Sequence, residues 1–304
     1  MRLDRRQLLA AGAAALAASP PAFALGAQPR VPRLGLIADC QYADQDDNGQ
    51  RMYRLSLGKL KAAVEDFNDR DVDAVVQLGD FIDRDWKSFD SLQPMVDAAR
   101  APWRFVLGNH DFSVDDALKT QVPQRLGMPA RYYAFDLGDW TFLALDGNDL
   151  SEYGWPEGSP ELVESRRRHR EFHAGKPDWN GGIGPTQMAW IDQRLILADR
   201  ARRKVALFCH FSVWPVNPHN LWNAPEVMAL LERHRCVKAW INGHNHDGDQ
   251  GQKAGIHYLN LKAMLDTPET AYAVASFHAD RIQIDGVGRQ ASQTLRFGDT
   301  KVLR

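Results

Sequence analysis

Five short motifs concentrate the residue types that bind divalent cations. They are Asp39-Cys40-Gln41, Gly79-Asp80 with Asp83 three residues on, Gly108-Asn109-His110-Asp111, the single His210, and Gly243-His244-Asn245-His246-Asp247. Each is weak alone, since a Gly-Asp pair is usually a turn and a lone histidine usually a satisfied polar residue. Together they offer carboxylate, amide and imidazole donors, a set suited to Mn²⁺ or Fe²⁺ rather than to a thiolate-seeking metal. Two cations about 3.5–4 Å apart, holding water for in-line attack on phosphorus, need one carboxylate able to bridge them. Asp80 is the best bridge. His110, adjacent to the candidate ligand Asn109, is expected to stand outside the cage and to hydrogen-bond a phosphoryl oxygen or protonate a leaving group. Asp111 is expected either to orient the His110 ring or to cap a helix N-terminus. Asp83 is expected to support the site rather than ligate.

Positioning these residues falls to the apolar runs that precede them. Leu34–Ala38, Ala74–Leu78, Trp103–Leu107, Lys204–Phe208 and Val237–Ile241 each read as a buried strand that ends just before a motif, and Trp140–Leu145 reads as a sixth strand. Sites in α/β sheets are built at the carboxyl ends of strands, so five such strands would deliver their polar residues to one edge. Helix-period stretches lie at about Arg51 to Asn68, Pro185–Ala198 and Pro225–His234, and the alternation predicts an α/β sandwich. The tail from about Ala271 alternates like late strands. Residues 147–184 break the pattern with charge, Gly, Pro and Trp, including Arg166-Arg167-Arg168. A connection this long serves a site or is disordered, and a surface excursion near the active-site mouth is expected. The arginine cluster reads as a solvated helix face, with steering of an anionic substrate as the alternative.

The order D-x-[HQ], G-D-x-x-D, G-N-H-[DE], a lone H, then G-H-x-H resembles the calcineurin-like metallophosphoesterases. That resemblance implies a sandwich of two mixed β-sheets flanked by helices in four layers. It also implies one metal site completed by Asp39, Gln41 and His246 and a second completed by Asn109, His210 and His244. Most of the superfamily has His where this chain has Gln41. The stretch Ala38-Asp39-Cys40-Gln41-Tyr42-Ala43-Asp44 is instead similar to the manganese-dependent ADP-ribose/CDP-alcohol diphosphatases. The likeness continues through Tyr53–Leu57, Ala63–Asn68, Gln77–Asp80, Asn180-Gly181-Gly182, Leu221-Trp222-Asn223, Gly243–Gly248 and His257–Leu261. It implies hydrolysis of the pyrophosphate link of small nucleoside diphosphate derivatives, with two divalent ions, Mn²⁺ before Fe²⁺, as cofactors. The alternatives are a cyclic nucleotide phosphodiesterase or phosphomonoesterase on the same site, and a metal-free binding scaffold. The chain departs from the family at Phe211–Pro215. Tyr42, Trp214 and Trp222 are candidates to stack on a nucleobase, against a bland role in packing.

The 304 residues can bury one large core, and a single domain is expected over 25–304. Residues 1–24 read as a targeting segment. Arg5-Arg6 precede an apolar run from Leu8 to Ala18, and Ala22-Phe23-Ala24 offers a cleavage site, a pattern of twin-arginine export to the periplasm or beyond. Losing that segment takes the net charge from −2 to −4. No basic field for a nucleic acid polymer is present, and no stable membrane association is expected after export. The expected partner is a small nucleotide-like phosphate. Cys40, Cys209 and Cys236 are too few and too odd in number for a disulfide framework and read as buried fillers.

Overall fold

A computed structural model describes residues 30–298, so the proposed targeting segment lies outside the described residues. The chain starts with β1 (Arg33–Ile37), α1 (Leu55–Asp69), β2 (Ala74–Leu78), α2 (Trp86–Ala98) and β3 (Trp103–Val106). The short α3 (Val122–Arg125) precedes β4 (Tyr133–Leu137) and β5 (Trp140–Ala144). Within the irregular stretch come β6 (Leu150–Ser151), α4 (Pro160–Phe172) and β7 (Gly181–Gly182). Then follow α5 (Pro185–Arg200), β8 (Lys204–Phe208), α6 (Ala224–Leu231) and β9 (Val237–Asn242). The chain closes through β10 (Asp249–Lys253), β11 (Ile256–Asn260), β12 (Ala271–Phe277), β13 (Arg281–Gly288) and β14 (Gln293–Arg296).

Two six-stranded mixed sheets result, in the orders β14-β13-β12-β1-β2-β3 and β10-β11-β9-β8-β5-β4. Strands β1, β2 and β3 run parallel, as do β5, β8, β9 and β11. Alternate side chains of both sheets meet in one core, with Leu34, Leu36, Val76 and Leu78 from one and Phe142, Phe208 and Ile241 from the other. The intervening residues face helices, which is why these strands are apolar on both sides. Ile37 and Val75 share a cluster with Leu60, Ala63, Val64 and Phe67 of α1. Leu143, Val205 and Leu207 share one with Ile191 and Leu195 of α5 and Val227 and Leu231 of α6. The four layers and two mixed sheets are those the sequence implied.

Where the sequence showed no clear period, structure nonetheless forms. Helix α2 is interrupted by Ser, Asp and an internal Pro94, yet it buries Phe89 and Leu92. Strand β10 is polar and lies at a sheet edge, where one face needs no apolar residue. The 147–184 segment is only partly a surface excursion. Leu150 pairs with Gly182, and Asn148, Ser151, Leu162, Ser165, Asn180 and Ile183 are buried. Ser159 caps α4 by accepting from the Leu162 amide at 3.2 Å. Arg166, Arg167 and Arg168 are tied to Glu152, Glu157, Glu164 and Glu171, so the cluster is a solvated, ion-paired helix face. The three cysteines are free and buried. Among the described residues, no helix is long and apolar enough to cross a membrane.

Candidate metal centre

The loops after β1, β2, β3, β8 and β9 converge, and those after β1, β2 and β9 hold ligand residues in a backbone conformation that non-glycine residues rarely adopt. Asp39, Gln41, Asp80 and His244 all have φ between 42 and 71°. Non-glycine residues in this left-handed region persist only where the surroundings over-determine them. The glycines before the ligands are required by close approach. A Cβ on Gly79 would stand 2.5 Å from His210 Nδ1, one on Gly108 2.2 Å from Asp80 Oδ1, and one on Gly243 2.5 Å from Asp39 Oδ2. The Gly-Asp, Gly-Asn and Gly-His pairs are therefore the places where backbone makes room for a ligand of a neighbouring strand.

Asp111 takes neither role expected of it. Its carboxylate is fully buried and accepts the amides of Gly108 and Phe81 at 2.8 Å, Asp80 at 3.1 Å and Ile82 at 3.3 Å. It lies inside a 3₁₀ turn, His110–Phe112, rather than at its cap. It thus clamps the loops that carry Asp80 and Asn109 instead of orienting His110. Burial and the nearby Asp80 push its pKa up to about 7, against the pull of those backbone donors. The His110 ring is held by Asp83. Nδ1 lies 3.1 Å from the Asp83 carbonyl and 3.2 Å from its Oδ1, and among the described residues Nε2 makes no hydrogen bond. Asp83 supports the site from behind, with Gln45 at 3.0 Å and Arg84 at 2.8 Å on its Oδ2.

On one side of Asp80, donors point at one another. His210 Nε2 stands 3.2 Å from Asp80 Oδ2, 3.1 Å from Asn109 Oδ1 and 3.1 Å from His244 Nδ1. The Leu78 carbonyl, 2.9 Å from His210 Nδ1, can only accept, so that nitrogen carries a proton and Nε2 faces the cage. Asn180 settles His244 in the same way. Its Nδ2 donates to the carbonyls of Pro218 at 2.7 Å and Asn220 at 3.0 Å, so its Oδ1 accepts from His244 Nε2 at 2.8 Å. His244 Nδ1 is then a lone pair aimed into the cage. Burial pulls the His210 pKa down, but the Asp80 carboxylate outweighs it and carries the value up to about 9. The pocket draws positive charge, which a proton on His210 supplies in part and a cation among all the donors supplies better. Asp80, His210 and His244 have ligand atoms all within 4.8 Å of one another, a spread that fits a divalent ion.

The other side is built around Asp39, which is fully buried and accepts the His244 amide at 3.1 Å. His246 Nε2 is 3.7 Å from Asp39 Oδ1, and its Nδ1 is held by Asp266 at 3.1 Å. Gln41 donates from Nε2 to Asp80 Oδ2 at 3.1 Å, while its buried Oε1 has no hydrogen-bond partner among the described residues. An orphaned amide oxygen beside two carboxylates and an imidazole fits a cation ligand. Neither Asn180 nor Asp266 was singled out for the centre by sequence, and only Asn180 left a trace, in the Asn-Gly-Gly likeness.

The three aromatics expected near substrate are placed elsewhere. Tyr42 is buried in the α1 side cluster after pairing with Ile82. Trp222 is buried, its ring stacked on His169 at 4.3 Å and its Nε1 donating to the Pro177 carbonyl. Trp214 packs beside Gly251, with Lys253 Nζ 5.1 Å over its ring, and lines a groove of about 280 Å³ with Val216 and Met228. Among the described residues no ring contact joins any of the three to His210, His244 or His246. Two other aromatics make one: the fully buried Phe211, whose ring centroid is 4.6 Å from His244, and the partly exposed Trp179, at 5.2 Å.

This centre has a counterpart among known proteins. The profile of the calcineurin-like phosphoesterases matches residues 32–248. The chain belongs to the calcineurin-like phosphoesterase family. It is accordingly a metal-dependent phosphohydrolase, with the donors described above placed to hold the metal. Among its relatives in this family, the manganese-dependent ADP-ribose/CDP-alcohol diphosphatase of Xenopus tropicalis is 30% identical, with 88% of this chain and 94% of that protein covered. The one from Danio rerio is 31% identical, over 86% of this chain and 97% of that protein. The crystal structure of a dimetal phosphatase from Danio rerio superposes with a TM-score of 0.78 at 30% identity, covering 88% of this chain and 100% of that one.

Proposed function

We propose that this phosphoesterase hydrolyses the pyrophosphate bond of small nucleoside diphosphate derivatives of the ADP-ribose and CDP-alcohol kind, using two divalent ions, most naturally Mn²⁺. The observation that carries this reading is the division of donors about Asp80, with Asn109, His210 and His244 on one side and Asp39, Gln41 and His246 on the other. It occurs in a chain similar along most of its length to diphosphatases described as manganese-dependent. Bound at these donors, divalent cations would supply Lewis-acid charge to the phosphoryl oxygens and activate water.

The chain's own residues do the rest. Asp111 and the three glycines hold the ligand loops before substrate arrives, so little reorganisation is left to the reaction. His110 is one-quarter exposed and, with Nδ1–H donating to the Asp83 carbonyl, donates from Nε2 to a phosphoryl oxygen or to the departing phosphate as the imidazolium. Asp83 fixes the ring so that this nitrogen, and not Nδ1, faces outward. For ADP-ribose, cleavage with one water yields AMP and ribose 5-phosphate.

The deciding experiment is metal analysis of protein purified without chelator, followed by turnover of ADP-ribose, CDP-choline, a cyclic nucleotide and p-nitrophenyl phosphate with added Mn²⁺. ADP-ribose and CDP-choline are expected to be cleaved well ahead of the other two. Preference for the cyclic nucleotide or the monoester would overturn the diphosphatase reading.

A further inference from the structure

Two rings stand at the mouth of the metal centre without a structural task that explains them. Trp179 remains 39% exposed although it is a large aromatic. One side of it packs toward His244, at 5.2 Å and 49°, and toward His219, at 5.2 Å and 50°. His219 is half-buried, and its own ring lies 5.4 Å from His244. Among the described residues no side-chain hydrogen bond is made by the Trp179 indole nitrogen or the His219 ring; Trp103, Trp155, Trp222 and Trp240 donate to a backbone carbonyl, while Trp86, Trp140, Trp190 and Trp214, like Trp179, do not. An indole left half open on a buried imidazole is unusual for packing alone.

The loops that carry these rings are locked to each other. Asn180 joins the carbonyls of Pro218 and Asn220, the Trp222 amide donates to Gly181 O at 2.8 Å, and the Trp222 indole donates to Pro177 O at 2.9 Å. The same Asn180 that orients His244 therefore fixes the neighbours of both rings, tying the platform to the ligand it flanks. The rings are tilted and only 5.2 Å apart, too close for a third ring between them. They form a one-sided corner with the outer face of Trp179 open.

We propose that Trp179, backed by His219, is the platform on which the nucleobase of the substrate stacks, with the phosphates reaching inward to the donors around His244. The inference rests on the nucleoside diphosphate reading, and it assigns the base to the corner made by residues 177–180 and 217–220. A flat base offers π-surface to an indole regardless of its hydrogen-bonding edge, so adenine and cytosine derivatives would share the platform. This accounts for how one site could take both ADP- and CDP-linked substrates.

The test is calorimetric titration of the Mn²⁺-loaded protein with AMP, ribose 5-phosphate and phosphocholine, with bound Mn²⁺ measured in parallel. Replacing Trp179 by Ala is expected to weaken AMP about 10-fold or more while ribose 5-phosphate and bound Mn²⁺ stay unchanged. Trp179→Phe restores most of the AMP affinity, and His219→Ala weakens AMP less than Trp179→Ala does. Equal loss for AMP and ribose 5-phosphate, loss of Mn²⁺, or unchanged AMP binding overturns the proposal. So does loss confined to phosphocholine, since a quaternary ammonium also favours an indole face. Protein that binds AMP through Trp179 but leaves ADP-ribose intact keeps the platform and discards the diphosphatase reading. Protein that cleaves ADP-ribose with AMP binding indifferent to Trp179 does the reverse.

Discussion

His110 shows how neighbours in sequence can have separate tasks. Asn109 turns its amide oxygen toward His210, while His110 turns its ring toward Asp83 and leaves Nε2 outward. A group that donates in the transition state without holding metal should affect turnover and not metal content. His110→Ala is therefore expected to lower kcat by about 10²-fold or more with bound Mn²⁺ unchanged. Asp83→Asn keeps the backbone carbonyl that holds Nδ1 and removes only the carboxylate charge 3.2 Å away, so it should lower kcat less, and the double variant should resemble His110→Ala alone. Steady-state kinetics with metal analysis checks this, and loss of metal from His110→Ala would make the residue a ligand. Asp111 sits one position further along and is occupied entirely by backbone amides, so its substitution is a change to the loop rather than to the acid.

Among the elements, the ligand strands are ordinary and the connections between them are specialised. Two remote segments lean on the histidines. The stretch through Asn180 holds His244, and the stretch through Asp266 holds His246. The second is tied down from α1, where the buried Lys59 ammonium reaches the carbonyls of Met264, Leu265, Asp266 and Thr267. Partners that fix a ligand's tautomer typically contribute 10- to 100-fold in metal affinity. Asn180→Ala removes the acceptor on His244 Nε2 and both ties to the 217–220 loop. It is expected to weaken Mn²⁺ binding by about 10- to 100-fold. Mn²⁺ titration monitored by calorimetry reads this directly, and an unchanged affinity would mean that His244 keeps its tautomer without Asn180.

In the whole molecule, the centre lies where two sheets meet. Asp39, Asp80 and Asn109 follow strands of the first sheet, and His210 and His244 follow strands of the second. A cation bound by both sets would cross-link the sandwich at one edge. Anything that binds the folded state alone stabilises it by RT ln(1 + [L]/Kd), about 2.7 kcal/mol at a hundredfold excess over Kd. For a chain of this size that corresponds to a rise in melting temperature of about 5–10 °C. Chelator treatment is expected to lower the melting temperature by about that much and added Mn²⁺ to restore it. Scanning fluorimetry measures it, and identical curves in chelator and in saturating Mn²⁺ would show that the donors take no metal at this edge.

The strands β2 and β8 are bounded in the sequence at the residues where they are bounded in the structure, because a run apolar on both faces ends sharply at a polar ligand. The motifs that follow the strands were legible for the same reason: spacing along one chain decides which residues a strand end presents. What sequence could not show is what meets those residues from far along the chain. Asn180 reaches His244, Lys59 reaches the 264–267 carbonyls, and Trp179 meets His219 only because the sheets stack and the connections fold back over their edge. Tyr42 and Trp222 are near ligands or likeness in sequence, yet their side chains leave toward helix packing, since a positive φ at Gln41 and a stacked His169 direct them there. Local pattern determined the strands and their donors. The stacking of two sheets and the loops folded over their edge decided which nitrogen His210 and His244 present, which backbone carbonyl holds the His110 ring, and which aromatics flank His244, because those depend on contacts between segments that sequence distance does not order.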